Sequence, residues 1–382
     1  MIMAKPLLSV VVPTKNRYIY LKELVKLVNS FNDADLELVI QDNSDCNEEI
    51  LDFLLTIKNE NIKYFYSSEK LAATENADKG ILNSTGEYVC FIGDDDGVMR
   101  WITKVVRYMK NNGIDSLIAN KPQYSWPDIK SALIDSSSTL IIQKTSENLK
   151  EINCINELRY VERQGFLTMG MLPRVYHGIV SRETMDKLYK QTGTFFPGPC
   201  PDMSNAVGLS FLVKKHVYVN YPVVISGAGY NSAAGMGARH QHSGKISEVS
   251  FLPKNTEEEW ESSLPKYWLG QTIWPNTAIK ALRNTNHEDH IANINFSYIY
   301  SAMIVFHASM FSITKPFLSI KNIFPVSLFS LCHIFARAVA LIRNTFDRMS
   351  KNGIFITTLK NISNIKTAEE VIYQRTRKLV NQ

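Results

Sequence analysis

Three adjacent carboxylates, Asp94, Asp95 and Asp96, stand between Gly93 and Gly97, directly after the apolar run 88–92. Like charges crowded at a strand end repel one another unless a cation neutralises them. Hard divalent ions held by one or two carboxylates, with phosphates and water completing the shell, are the usual solution. The triplet therefore points to a metal that holds a diphosphate. A solvated acidic turn, which Asp and Gly also favour, is the structural alternative.

Two further polar loops follow apolar runs. Val11-Val12-Pro13-Thr14-Lys15-Asn16-Arg17 lies just ahead of a helical pattern. Backbone N–H groups at a helix start favour an anion, although Thr14 or Asn16 also suits a plain cap. Gln41-Asp42-Asn43-Ser44-Asp45 ends the second run. Asp42 can accept a hydrogen bond from a nucleobase N–H, or close an Asx turn.

For these loops to meet, their strands must share one sheet edge. Up to about residue 120 the pattern alternates strand and helix. Strands are expected at 7–12, 36–41, 62–66, 88–92 and 116–119, and helices at 18–31, 48–58, 72–82 and 101–111. Near-continuous apolar strands between amphipathic helices predict an α/β fold: a mainly parallel, Rossmann-like sheet with helices on both faces. Ligands of such sheets bind at the carboxyl ends of the strands. Residues 124–148, rich in serine, read as an edge hairpin or excursion. A strand at 176–180, helices at 182–191 and 203–213, and a strand at 217–225 follow. Gly227 to Gly244, with five glycines, reads as a mobile loop. Beyond about residue 255 the chain reads as helical to its end. The expected division is 1–250 (a donor half 1–120 and an acceptor half 121–250), then a helical region 251–382.

The 382 residues carry a formal net charge of +5, unevenly placed. From Lys315 onward there are 11 Lys+Arg against 3 Asp+Glu, so the preceding body is slightly acidic. A basic tail suits an anionic surface. These basic residues stand in an apolar tail rather than interleaving with aromatics, which disfavours nucleic acid. Five scattered cysteines without a CxxC pair argue against a disulfide framework or structural zinc. With no charged-then-apolar leader in residues 1–6, a cytoplasmic location is expected.

No GxGxxG, GxxxxGK[ST] or GxSxG motif occurs, so dinucleotide, P-loop and α/β-hydrolase readings lose their main support. The order VVPTKNR, QDNSD, GEYVCFIGDDD instead resembles family 2 glycosyltransferases of the GT-A fold, over roughly residues 7–230. Asn76-Ala77-Asp78-Lys79-Gly80 through Gly86-Glu87-Tyr88 is similar to the NxDRA…GEY segment of bacterial surface-polysaccharide members. The resemblance implies an inverting transfer of a sugar from a nucleotide-sugar to an acceptor hydroxyl, with Mn2+ or Mg2+ as cofactor. It implies that Pro13, Thr14 and Arg17 frame the nucleotide, that Asp42 holds the base, and that Asn76 and Asp78 lie on the donor side. The Asp94–Asp96 run would bind ribose, metal and diphosphate. Asp94 is favoured on the ribose and Asp95 or Asp96 on the metal, with both registers open.

An inverting transfer needs a general base. The family carries it at a helix start, and Asp202 in Phe196-Pro197-Gly198-Pro199-Cys200-Pro201-Asp202-Met203 matches that place. A helix cap is the compatible alternative. In the glycine-rich loop, His240 and His242 are candidate metal ligands and Arg239 a diphosphate clamp. Arg174 and His177 are expected on the acceptor side.

In the tail, 326–342 on a helix gives a narrow stripe of Ser327, Ser330, His333 and Arg337, continued by Asn344, among Leu, Ile, Val and Phe, flanked by Lys and Arg. This suits a helix lying in an anionic membrane surface; packing on the catalytic domain or in a homodimer would use the same face. The sequence reading is a cytoplasmic, peripheral membrane glycosyltransferase acting on a glycan or lipid-linked glycan. A nucleotidyltransferase and a catalytically silent membrane-associated scaffold are its rivals.

Overall fold

A computed structural model describes residues 5–129, 137–232, 235–236, 243–249, 251–349 and 356–380. Among these, the chain opens with β1 (Leu8–Thr14), α1 (Tyr18–Asn29), β2 (Leu36–Asp42), α2 (Glu48–Leu55), β3 (Ile62–Tyr66), α3 (Ala73–Leu82) and β4 (Tyr88–Phe91). After β5 (Gly97–Val98) come α4 (Ile102–Asn111) and β6 (Ser116–Asn120). β1 shows why the strands read as continuous apolar runs. Leu8, Val10 and Val12 point into one core cluster with α1 and α4, whereas Val11 points into a second with Ala77 and Ile81 of α3. Both faces are covered, so both alternating side-chain rows must be apolar.

Next come β7 (Gln123–Ser125), β8 (Thr139–Gln143), β9 (Leu149–Ile152), α5 (Cys154–Arg163), β10 (Gly178–Ser181), α6 (Arg182–Thr192) and α7 (Pro201–Ser210). The main sheet has the order β3-β2-β1-β4-β10-β6-β11-β9, with β11 spanning His216–Pro222. It is less uniformly parallel than the sequence pattern implies. β10 lies antiparallel between β4 and β6, and β9 antiparallel to β11. The single expected strand 217–225 is two strands. The chain breaks at Val223, and β12 (Val224–Ala228) joins a second sheet with β5, β7, β8 and β13 (Ile356–Leu359). The expected edge hairpin is the antiparallel pair β7–β8 of that sheet.

The expectation of helix to the end fails at β13, which pairs antiparallel with β8. The helix Ile365–Val380 then buries Ile365, Ala368 and Ile372 in the same core as α1. Helices Gly270–Asn284 and Phe296–Phe306 form a separate core with α5 and α7. The long helix Ile323–Met349 packs against Phe296–Phe306.

Candidate active site

The three polar loops do share the carboxyl rim. Backbone N–H of Asn16 donates to Oγ of Ser44 at 2.7 Å, and Asn16 Nδ2 to Asp45 at 2.9 Å, tying the β1 and β2 loops together. Asp42 is fully buried and its oxygens are engaged within the protein. Oδ2 accepts from the hydroxyls of Tyr18 (2.6 Å) and Tyr64 (2.8 Å), and Oδ1 from the Ser44 amide (2.8 Å) in an Asx-type bond. Pro13, next to last in β1, lies beside Gln41 of β2. Asn76 donates to Gln41 O at 3.3 Å. Asp78 accepts from Thr194 Oγ1 (2.5 Å) and Phe195 N (2.8 Å), stapling α3 to the segment that leads into α7. Burial pushes its pKa up to about 6, against the two hydrogen bonds.

All three carboxylates of the triplet are buried, and each has a different environment. Asp94 accepts from Thr14 Oγ1 at 2.6 Å and pairs with Arg17, whose Nη2 lies 2.8 Å from Oδ1. Burial alone would disfavour the guanidinium, but Asp94 and Asp95 outweigh it, so Arg17 stays charged. Asp96 accepts from the Gly93 and Gly227 amides, each at 2.7 Å, and its Oδ2 lies 2.6 Å from Nε2 of His177. Burial opposes its ionisation, yet His177 and the two amides hold its carboxyl below the usual range. Asp95 accepts from the Gly229 amide at 2.9 Å, its sole side-chain hydrogen bond among the described residues. Burial first, then Asp96 and Asp94, push it up to about 7. The protein thus compensates most of the triplet itself, through the charge of Arg17 and hydrogen bonds from His177 and backbone amides, and leaves Asp95 as the carboxylate short of a partner.

β12 can serve the triplet because it carries Gly227: a Cβ there would stand 1.7 Å from the Asp95 carbonyl oxygen. Trp126 closes the other side, its Nε1 donating to that oxygen at 2.8 Å.

Asp202 lies in the first turn of α7, where Pro201 pre-sets the helical backbone. The cap position belongs to Cys200, so the capping alternative is corrected: Asp202 Oδ1 accepts from the next amide, Met203 N, at 2.8 Å. Burial raises its pKa; Met203, Arg174 and a hydrogen bond from Trp274 oppose this. One cation, Lys121, feels the negative charge of both acidic centres, Asp96 and Asp202, whereas Arg174 feels that of Asp202 and Glu157. Arg174 also donates to the carbonyls of Leu172 (3.0 Å) and Gly170 (3.2 Å). His177, expected on the acceptor side, sits instead on Asp96. Lys121 and Trp274 carried no sequence signal. Arg239, His240 and His242 lie outside the described residues.

Among the described residues no three His, Cys, Asp or Glu side chains form a ready-made ion site. One or two carboxylates suffice for Mg2+ or Mn2+ when a substrate's phosphates complete the shell, and an under-neutralised Asp95 fits that arrangement.

A sheet that gathers polar loops and a carboxylate triplet at its carboxyl rim, with an antiparallel strand inserted beside β4, has the α/β architecture of GT-A proteins. Residues 9–167 match the family model described as glycosyl transferase family 2. Over 118 residues it is 30% identical to GalNAc(5)-diNAcBac-PP-undecaprenol beta-1,3-glucosyltransferase of Campylobacter jejuni, a match spanning 30% of this chain and 38% of that relative. Among solved structures, TarS 1-349 of S. aureus is 12% identical with a TM-score of 0.45, covering 81% of this chain and 88% of that one. The mannosyltransferase PcManGT of Pyrobaculum calidifontis, in complex with GDP-Man and Mn2+, is 14% identical with a TM-score of 0.41, covering 88% and 86%.

Proposed function

We propose that this protein is a metal-dependent inverting glycosyltransferase that moves a sugar from a nucleotide-sugar to a hydroxyl of a lipid-linked glycan in surface-polysaccharide assembly. The observation that carries the reading is a carboxylate triplet at the sheet rim, with Asp95 under-neutralised, together with a second acid at a helix start, Asp202, and one lysine, Lys121, that interacts with both Asp96 and Asp202. Asp202 takes the acceptor proton as the hydroxyl oxygen bonds to the anomeric carbon. The bond from that carbon to the diphosphate breaks with its electron pair leaving on the diphosphate. Asp95 is the residue that would hold Mn2+ or Mg2+, which would offset the charge developing on that group. Arg17 and Thr14 keep Asp94 oriented toward the nucleotide. The Campylobacter relative, named for an undecaprenol-diphosphate glycan, supports the acceptor class.

We assign catalysis to 1–250, with 356–380 docked into it, and membrane contact to the helical region between. The helix Ile323–Met349 supports a peripheral location on the cytoplasmic face. Of its polar stripe His333 is buried, its ring tilted against Tyr298 with centroids 4.4 Å apart, and Ser330 is half-buried, whereas Ser327 and Arg337 are exposed. Its apolar face turns outward, with Phe324, Leu331 and Phe335 exposed by 77%, 65% and 72%. With one side packed on the helix Phe296–Phe306 and large apolar side chains exposed on another, we read this helix as lying along a bilayer rather than across it.

A thermal-shift panel of nucleotide-sugars with and without Mn2+ tests the reading. One donor should raise the melting temperature in the presence of metal, and Asp95→Ala should erase the shift. No stabilisation by any donor under any metal would overturn it.

A further inference from the structure

His177 stands between two charged groups. Its Nδ1 lies 2.8 Å from Nζ of Lys121, and its Nε2 lies 2.6 Å from Oδ2 of Asp96. A lysine ammonium donates and cannot accept, so Nδ1 must accept from it. Nε2 then carries the ring proton and donates it to Asp96. The ring is a neutral bridge whose tautomer Lys121 dictates.

The backbone makes an unusual accommodation for this bridge. His177 has φ +56°, in the left-handed region that residues other than glycine seldom occupy. Its amide donates to the Phe91 carbonyl at 3.0 Å, the end of the strand that delivers the triplet. Its ring stacks on Tyr176 with centroids 4.0 Å apart. With the Gly93 and Gly227 amides, the imidazole brings Asp96 to three donors. An ionised carboxylate offers about four acceptor sites, so Asp96 has little capacity left, while Asp95 keeps most of its own.

We propose that His177 is a positioning residue: bridged to Lys121, it locks Asp96 as the fixed wall of the carboxylate loop and leaves Asp95 as the carboxylate that takes the divalent cation. This rests on the metal-dependent reading above. His177 acts through Asp96 and needs no contact with the cation. Conserving its function requires one donor and one acceptor at the two ends of the side chain, which the Gln amide also supplies.

The test uses the full chain, with Mn2+ titrated in the presence of UDP or GDP and free Mn2+ read by electron paramagnetic resonance. His177→Leu should raise the Mn2+ dissociation constant about 10–100-fold, the range typical of lost outer-sphere partners. His177→Gln should stay within about threefold of the unaltered chain. Nitrogen-15 NMR of the unaltered chain should show His177 as the Nε2–H tautomer, and Lys121→Met should move that signal. A folded His177→Leu that binds Mn2+ normally overturns the inference. So does a folded His177→Gln as weak as the Leu variant, or an Nδ1–H tautomer. If His177→Leu fails to fold, the Gln variant and the tautomer decide. Failure of the unaltered chain to bind Mn2+ with either nucleotide strikes the metal-dependent reading itself, whereas normal binding that ignores His177 strikes this inference alone.

Discussion

Burial is what would make Asp202 useful as a base. It raises the carboxyl above its ordinary value of 3.8, against the pull of Met203, Arg174 and Trp274, and a base works best with a pKa closer to the operating pH. The acid limb of kcat/KM should therefore fall at a higher pH than an unperturbed Asp gives, and a limb at 3.8 in a pH–rate series would count against the assignment. Asp202→Asn should lower turnover by about 10²–10⁴-fold. Linkage fixes the sign of its stability effect. A carboxyl whose folded pKa is raised favours the fold at low pH, and that contribution is lost as pH rises through the folded value. The Asn variant should thus gain in relative melting temperature as pH increases. Asp94 differs from Asp202 in its direct ion pair with Arg17. Asp94→Ala leaves a largely buried guanidinium unpaired, at a cost of about 3 kcal/mol measurable by chemical denaturation. The triplet and Asp202 were legible because each sits within a contiguous motif. Lys121 and Trp274 were not, because long-range folding alone brings them to the carboxylates.

The elements around the triplet hold it from two sides, and the sequence disclosed little of this. Periodicity gives a strand's existence but not its direction, so the antiparallel β10 was invisible. The apolar run through Val223 hid the switch from β11 to β12, since both halves are buried. On the first side, Gly227 lets β12 approach the carboxylates. Gly227→Ala should abolish metal-dependent nucleotide binding and lower the melting temperature, whereas an unchanged Mn2+ titration would show that β12 has no part in the site. On the second side, the helix Ile365–Val380 packs Ile365 against Gly97, directly after the triplet. Its buried Glu369 accepts from the Arg100 amide (3.1 Å) and from the guanidinium Nε (2.9 Å). Glu369→Ala should cost about 2 kcal/mol, a figure reduced from that of a fully buried pair because Arg100 is partly exposed. A denaturation midpoint equal to that of the unaltered chain would mean that this clasp is idle.

At the scale of the whole molecule, the C-terminal third both returns to the second sheet through β13 and presents an apolar face to the outside. Phe324, Leu331 and Phe335 fall within a narrow arc of one helix face, since steps of seven and four residues bring side chains nearly into line. Ile320, exposed by 96%, extends the apolar patch at the helix start. Lys315 and Lys321 stand near that end and Arg337 further along. Moving large apolar side chains from water into the acyl boundary is worth about 1.5–3 kcal/mol each, and each basic group near an anionic surface adds about 1 kcal/mol. The triple change Phe324→Ser, Leu331→Ser, Phe335→Ser should therefore weaken partition onto phosphatidylglycerol-containing vesicles by about 100-fold or more, while metal-dependent nucleotide binding stays intact. Neutralising Lys315 and Lys321 should cause a smaller loss that disappears at high salt, because screening removes the electrostatic part and leaves the apolar part. Co-sedimentation with neutral and anionic vesicles across a salt series separates the two contributions. A self-associated chain that ignores both vesicle types, and becomes monomeric in the triple variant, would identify this face as a subunit contact instead.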